Sequence, residues 1–295
     1  MIDTHAHLYA EELDDDRPAM MQRAKEAGIS KIVLPNVDSS TLQRMLDLES
    51  DYPGYCFSAI GVHPTSIGEN WKEELAMVEQ ELKRRNTPDI RQSTPVGDHP
   101  AMDDLQRAIA GRHPDSTGQR SRPYIAIGEI GTDLYWDKTY LREQQEAFAR
   151  QLQLSIDYQL PVIIHVRDSF DETFEVMQDF KGKGLRGIFH SFTGSADQAT
   201  TISELGTFYL GINGIISFKN SGLKDVVRNI LLERMVLETD SPYLSPVPYR
   251  GKLNESSRLP LIAMQLAQLY AVSLEEIVEI TTKNAQSLFN FQQKS

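Results

Sequence analysis

The chain has 295 residues, 40% of them hydrophobic and 24% charged, with a formal net charge of −12 at pH 7. That length and apolar content support a large core in one or two domains, and an α/β barrel commonly fills such a length as a single one. The acidic balance argues against a broadly basic nucleic-acid surface, although bound divalent cations can reverse the field at one site.

In chain order, short β-branched or apolar runs alternate with longer helical patterns, the signature of repeated βα units around a parallel sheet. The chain opens Met1-Ile2-Asp3-Thr4-His5-Ala6-His7-Leu8. In an extended segment the side chains alternate, so His5 and His7 project to one side, as a pair of ligands would. A helix is expected over Pro18–Gly28, with Gly28 as its stop, then strands at Lys31–Asn36 and Cys56–Val62 around a helix at Thr41–Asp47. Cys56 is the only cysteine, which excludes an internal disulfide and fits a reducing cytoplasm. A helix at Trp71–Arg85 precedes a segment at about 87–122 rich in Pro, Gly, Ser, Thr and Arg. So long a structureless run is unusual inside a compact domain, and it reads as an insertion carrying a short helix at Met102–Ala110, with His99 and His113 on its surface.

Strands resume at Tyr124–Gly128, Val162–Ile164, Gly187–Phe189, Phe208–Ile212 and Met235–Leu237. The clearest helix is Leu141–Tyr158, where Phe148, Leu152 and Ile156 recur at helical spacing. A helix is also expected at Ser169–Phe180, and two more at Leu259–Tyr270 and Leu274–Leu288. Ser273 and Glu276 read as a capping box for the last. Eight strands, each followed by a helix, predict an α/β fold with residues 1–295 forming a single (β/α)8 TIM barrel; a doubly wound open sheet is the alternative. No run approaches the ~20 apolar residues of a membrane span, and the opening motif leaves no room for a cleaved leader, so a cytoplasmic location is expected.

Chemistry-bearing side chains gather at the predicted strand ends. Strand four runs into Glu129, strand five into His165, strand six into His190 and strand eight into Asp240. In a barrel these ends form one mouth, where active sites of this architecture sit. Together with His5 and His7 they give six potential ligands in a chain with only seven histidines. Imidazole and carboxylate donors together suit Zn, Mn, Fe or similar ions, whereas calcium prefers an all-oxygen shell.

The ordered motifs resemble the TatD family of metal-dependent deoxyribonucleases, within the amidohydrolase-like barrel enzymes. They are Asp3-Thr4-His5-Ala6-His7-Leu8, Gly61-Val62-His63-Pro64, Gly128-Glu129-Ile130-Gly131, Pro161–Arg167, His190-Ser191-Phe192-Thr193-Gly194 and Glu238-Thr239-Asp240-Ser241-Pro242-Tyr243-Leu244. The last continues into Pro246-Val247-Pro248-Tyr249-Arg250-Gly251-Lys252. The resemblance implies two divalent metal ions (Zn, Mn or Mg) at the C-terminal mouth, one held by His5, His7 and Asp240, the other by His165 and His190, with Glu129 bridging. This chain departs from the family's Asn-Glu-Pro at Asn254-Glu255-Ser256 and carries an extra Leu253, so its substrate loop, rather than its ligand set, is where a difference is expected.

The implied chemistry is hydrolysis of DNA phosphodiester bonds by a metal-activated water, with exonuclease action expected. Asp240 and Glu129 are the catalytic carboxylates, Asp240 also taking the proton from the attacking water. His63 is expected to contact a phosphoryl oxygen or protonate the leaving group, and Arg167 and Arg250 to clamp phosphate. Arg167 has an alternative partner in Asp168, and Tyr135 or Trp136 could stack on a base. The partner is therefore DNA or another phosphodiester, with no membrane and no obligate protein partner. The rival readings are a hydrolase of a small phosphodiester, ester or lactone, and a non-catalytic binding protein on the same fold.

Overall fold

The computed structural model describes residues 1–86 and 122–291. The insertion expected at about 87–122, its helix at Met102–Ala110, and His99 and His113 thus lie outside the described residues, apart from Arg122. Eight strands form one parallel sheet in sequence order: β1 Ile2–Asp3, β2 Lys31–Pro35, β3 Cys56–Ile60, β4 Ala126–Asp133, β5 Val162–Arg167, β6 Arg186–Phe189, β7 Thr207–Ile212 and β8 Met235–Leu237. The ring closes where Thr4 N–H donates to Leu237 O at 3.1 Å and Ala6 bridges Ser241. This is the (β/α)8 barrel read from the sequence.

The helices are α1 Arg17–Glu26, α2 Ser39–Asp51, α3 Trp71–Asn86, α4 Leu141–Tyr158, α5 Phe170–Gln178, α6 Ala196–Leu205, α7 Leu223–Val227, α8 Leu259–Tyr270 and α9 Leu274–Leu288. Gly28 ends α1 in the left-handed region, φ +79°, as a helix stop should. At Ser273 only half of the expected capping box forms: its side chain accepts from Glu276 N–H. No single helix among the described residues is long and apolar enough to cross a membrane.

Alternation along the strands sorts the core into two layers. Ile2, Val33, Phe57, Ile163, Ile188 and Val236 fill the barrel interior with Leu288 and Phe289 packed among them. Their neighbours Ile32, Leu34, Ile60, Ile164, Phe189 and Leu237 face the surrounding helices. Strands buried on both faces read as continuous apolar runs, which is how they were legible in the sequence. The interior cluster draws on the start of the strands and the end of α9, so that end is plugged and the opposite, C-terminal end is left for polar groups.

β4 departs from expectation. It begins later than Tyr124 and runs past Gly128 to Asp133, so Glu129 lies inside the strand rather than at its end. His165 likewise falls within β5, which continues to Arg167. The glycines of this strand allow close packing: a Cβ on Gly131, whose φ is +141°, would meet His165 O at 2.0 Å. The β4–β5 register shifts between Ile127 and Ile130, which helps to place Glu129 against its neighbours.

Candidate metal centre

The structure brings all six sequence-selected ligands together, with His63 beside them. Glu129 is at the centre, 2% exposed, and its two oxygens divide the histidines. Oε2 lies 3.2 Å from His5 Nε2 and 3.3 Å from His7 Nε2. Oε1 lies 2.9 Å from His165 Nδ1, 2.7 Å from His190 Nε2 and 3.2 Å from His63 Nε2. Asp240 Oδ1 completes the first side at 3.5 Å from His5 Nε2 and 3.8 Å from His7 Nε2. Three overlapping sets of ligand atoms converge closely enough to hold an ion: His5, His190 and Asp240; His5, His7 and Glu129; and His63, Glu129 and His165.

β1 has ended before His5, so the two leading histidines do not sit in a strand as such. They converge because Ala6 bridges Ser241 and Asp240 N–H donates to His5 O at 2.9 Å, which ties the segment to the chain leaving β8.

The donor set fits divalent cations. His5 and His7 bring their Nε2 atoms to 3.1 Å of each other, and His165 Nδ1 and His190 Nε2 stand 3.2 Å apart. Two imidazole lone pairs at such distances repel unless a proton or a cation lies between them. The outer ring nitrogens of His7 and His165 are already committed. Tyr9 O–H donates to Pro35 O at 2.5 Å, so its oxygen accepts from His7 Nδ1–H at 2.8 Å and leaves Nε2 bare. His165 Nε2–H donates to Asp133 Oδ2 at 2.9 Å, which turns Nδ1 toward Glu129 Oε1 at 2.9 Å, where it donates while the ring is protonated and would be the ligand atom for an ion. Such outer partners fix tautomer and ring orientation in metal sites. When bound, divalent ions would supply Lewis acidity and bring water within reach of ionisation near neutral pH.

Electrostatics follow from this crowding. Burial alone would raise the Glu129 carboxyl, but His190, His63 and His5 and the hydrogen bond from His165 outweigh it and hold it well below the usual carboxylate range. Burial disfavours charge on His190 as well, yet Glu129 and Glu238 more than reverse that and raise it well above an ordinary imidazole. His5, buried and beside His190, is pushed far down. Burial lifts Asp240 to about 6, partly offset by His190 and His7. Glu129 and His190 would give up the proton they share on binding a divalent cation, the ordinary coupling of metal binding to proton release.

His63 differs from the ligands. Thr65 N–H donates to its Nδ1 at 3.1 Å, so Nε2 carries the proton and points toward Glu129. Burial keeps the ring's pKa low, so at neutral pH it is an uncharged donor. Arg167 makes no ion pair with Asp168 or any other described residue; its guanidinium stacks on Tyr135 at 3.7 Å and reaches Trp136 at 5.6 Å. Arg250 stacks on Phe218 at 4.5 Å, again unpaired among the described residues. Neither arginine belongs to the inner cluster.

Several supporting residues escaped sequence reasoning. Glu238 is fully buried, accepts from Ser191 N–H, and lies 3.6 Å from His190 Nδ1. Gly211 makes room for it, since a Cβ there would sit 2.2 Å from Glu238 Oε2. Gln144 and Gln151 on α4 receive the N–H groups of Asp133 and Val62 and so anchor two strand exits. A signal existed for Tyr9 and Glu238, each two residues from a ligand and hence on the same side of an extended chain; for the glutamines, helix periodicity gave none.

The departure at Ser256 turns out to be structural. Asp3 is fully buried, and burial raises its carboxyl to about 7 despite hydrogen bonds from Ser256, Thr239 and His5. Ser256 Oγ–H donates to it at 2.6 Å, Thr239 N–H at 2.9 Å and Thr239 Oγ1–H at 2.7 Å. Asn254 meanwhile donates to Thr239 O at 2.8 Å. Where the family usually has proline, this chain ties the loop to the strand-one carboxylate. Replacing Ser256 with alanine is expected to cost about 1–3 kcal/mol of stability, the cost of taking one hydrogen bond from a buried polar group, with kcat unchanged. Urea unfolding checks this; a midpoint equal to the parent's would show the contact to be idle.

Comparison with known proteins agrees with the geometry. The family model described as TatD related DNase matches residues 2–290. An uncharacterized metal-dependent hydrolase of Bacillus subtilis, YabD, is 33% identical over 290 residues, covering 98% of both chains. The 3'-5' ssDNA/RNA exonuclease TatD of Erwinia tasmaniensis is 29% identical over 296 residues, covering 98% of this chain and 100% of its own. Among solved structures, the TatD homologue YjjV of Escherichia coli superposes with a TM-score of 0.78 at 26% identity, covering 98% of each chain. The barrel, the carboxylate ringed by histidines at its mouth and the match along nearly the whole sequence lead to one conclusion: this chain belongs to the TatD family of metal-dependent hydrolases.

Proposed function

We propose that this enzyme hydrolyses phosphodiester bonds of nucleic acid, DNA in the first place, as an exonuclease carrying two divalent ions in the cytoplasm. The observation that carries the reading is the division of the histidines between the two oxygens of one buried carboxylate. A glutamate so placed suits bridging of two ions about 3.5–4 Å apart, the arrangement that serves in-line displacement at phosphorus. His5, His7 and Asp240 would hold one ion, His165 and His190 the other. A related chain named as an exonuclease on single-stranded DNA and RNA adds support for the substrate class. The lone, buried Cys56 is in keeping with a reducing compartment.

The chain's own residues then divide the work. Asp240 accepts the proton of the attacking water at a carboxylate oxygen whose affinity burial has raised. His63, a neutral donor at Nε2, hydrogen-bonds a phosphoryl oxygen or protonates the departing oxygen. Arg167 and Arg250 offer planar donor forks to flanking phosphates, which offsets the acidity of the chain as a whole.

A substrate panel on metal-stripped protein tests the reading. Mn, Zn and Mg are restored in turn against end-labelled single- and double-stranded DNA, RNA, a bis-phosphodiester and a lactone. Progressive shortening from one end is expected. If the lactone or the small diester is turned over well under conditions where every oligonucleotide survives, the rival small-substrate hydrolase is the correct reading.

A further inference from the structure

Beside the metal cluster lies a cleft of about 270 Å³ that the hydrolytic chemistry does not use. One wall is the turn Pro64–Ser66, which begins at His63 and supplies the N–H that fixes the His63 tautomer. The other wall carries Trp136 and Tyr140, with Asp133, the acceptor for His165, also lining the cleft. Both walls are therefore attached to residues of the site. The volume lies just below the ~300–1,000 Å³ of drug-sized pockets, which makes it suitable for a single ring system.

The rim is unusual for an acidic protein. Trp136 is 72% exposed and Tyr135 51% exposed, packed edge to face with ring centroids 4.8 Å apart. Burial of either ring would be the ordinary outcome, and exposed aromatics in contact with one another point to a partner. Arg167, with no ion pair among the described residues, lies on the Tyr135 ring. Asp133 thus joins the ligand His165 to the cleft, and Arg167 stands on the aromatic rim.

We infer that the Trp136 cleft is a nucleobase subsite: it takes one unpaired base adjoining the cleaved bond, stacked on Trp136, while Arg167 holds a flanking phosphate. This rests on the nuclease reading. It adds a reason for single-strand action, because a base engaged in a duplex stack cannot enter the cleft. Base–aromatic stacking tolerates any sequence, so the subsite selects strandedness rather than sequence.

The test combines kinetics with a direct binding signal. Trp71→Phe leaves Trp136 as the only tryptophan, since the chain has two. In that metal-loaded background a phosphorothioate pentanucleotide is expected to quench the fluorescence saturably, and the same oligomer with a terminal abasic residue to quench far less. In cleavage assays Trp136→Ala should raise KM for single-stranded DNA about tenfold to a hundredfold, the span that loss of one stacked base gives. It should also abolish the parent's preference for the normal over the abasic end, and Trp136→Phe should recover most of both. No quenching, with Trp136→Ala cleaving at the parent's KM, overturns the subsite and leaves the nuclease standing. Quenching without cleavage under any metal overturns the nuclease reading and leaves the subsite standing.

Discussion

Replacing Glu129 with glutamine is expected to lower kcat/KM by about 10³-fold or more, roughly 4 kcal/mol of transition-state stabilisation, and to reduce bound metal well below the parent's. Glutamine keeps the shape and one carbonyl oxygen but removes the charge toward which five imidazoles converge. His190 loses the main counter-charge that raises it, His165 keeps only Asp133 of the two carboxylates that raise it, and the two oxygens can no longer serve both sides of the cluster alike. Leaving neighbouring buried groups without their partner is costly in itself, so the variant should also unfold earlier. Metal analysis of the purified protein, read beside turnover, separates the two effects. A variant that retained the parent's metal content and rate would show that the centre is built on other ligands.

Much of this centre was readable because an apolar run giving way to polar residues marks where a strand leaves the core, even where, as at His165, the strand itself runs on. His165 after Ile163-Ile164 and His190 after Ile188-Phe189 follow that grammar, and both enter the cluster. Glu129 was expected just past the end of strand four, whereas Gly128 and Gly131 let that strand run on to Asp133, close against β5. The geometry of the arginines was not legible at all. Arg167 stacks on Tyr135, two residues beyond Asp133, which pairs with Arg167 across β4 and β5. Nothing in either segment alone reveals that neighbour. Ser256 makes the same point from the other direction. Read locally it is a loop residue without proline's rigidity, yet its partner Asp3 is 253 positions away.

Asp240→Asn isolates proton transfer from metal holding, and the expected result is a fall in kcat of about 10²–10³-fold, within the ordinary reach of a positioned general base. The side chain is fixed by its backbone: Asp240 has φ +56°, its N–H donates to His5 O and its own carbonyl accepts from Tyr243 N–H. Asparagine, which tolerates that left-handed conformation, keeps the same place. It retains one oxygen toward His5 and His7 but cannot take up a proton at neutral pH. If Asp240 served only to hold an ion, saturating the variant with Mn or Zn should restore most of the rate, because the loss would be one of affinity. If it accepts the water's proton, occupancy recovers under saturation while kcat stays low, and the low-pH limb of the kcat profile, set in the parent by this carboxylate, disappears. Full recovery of kcat under saturating metal would therefore confine Asp240 to ligation and move the proton acceptor elsewhere at the mouth, with Glu129 and the histidines already occupied by one another.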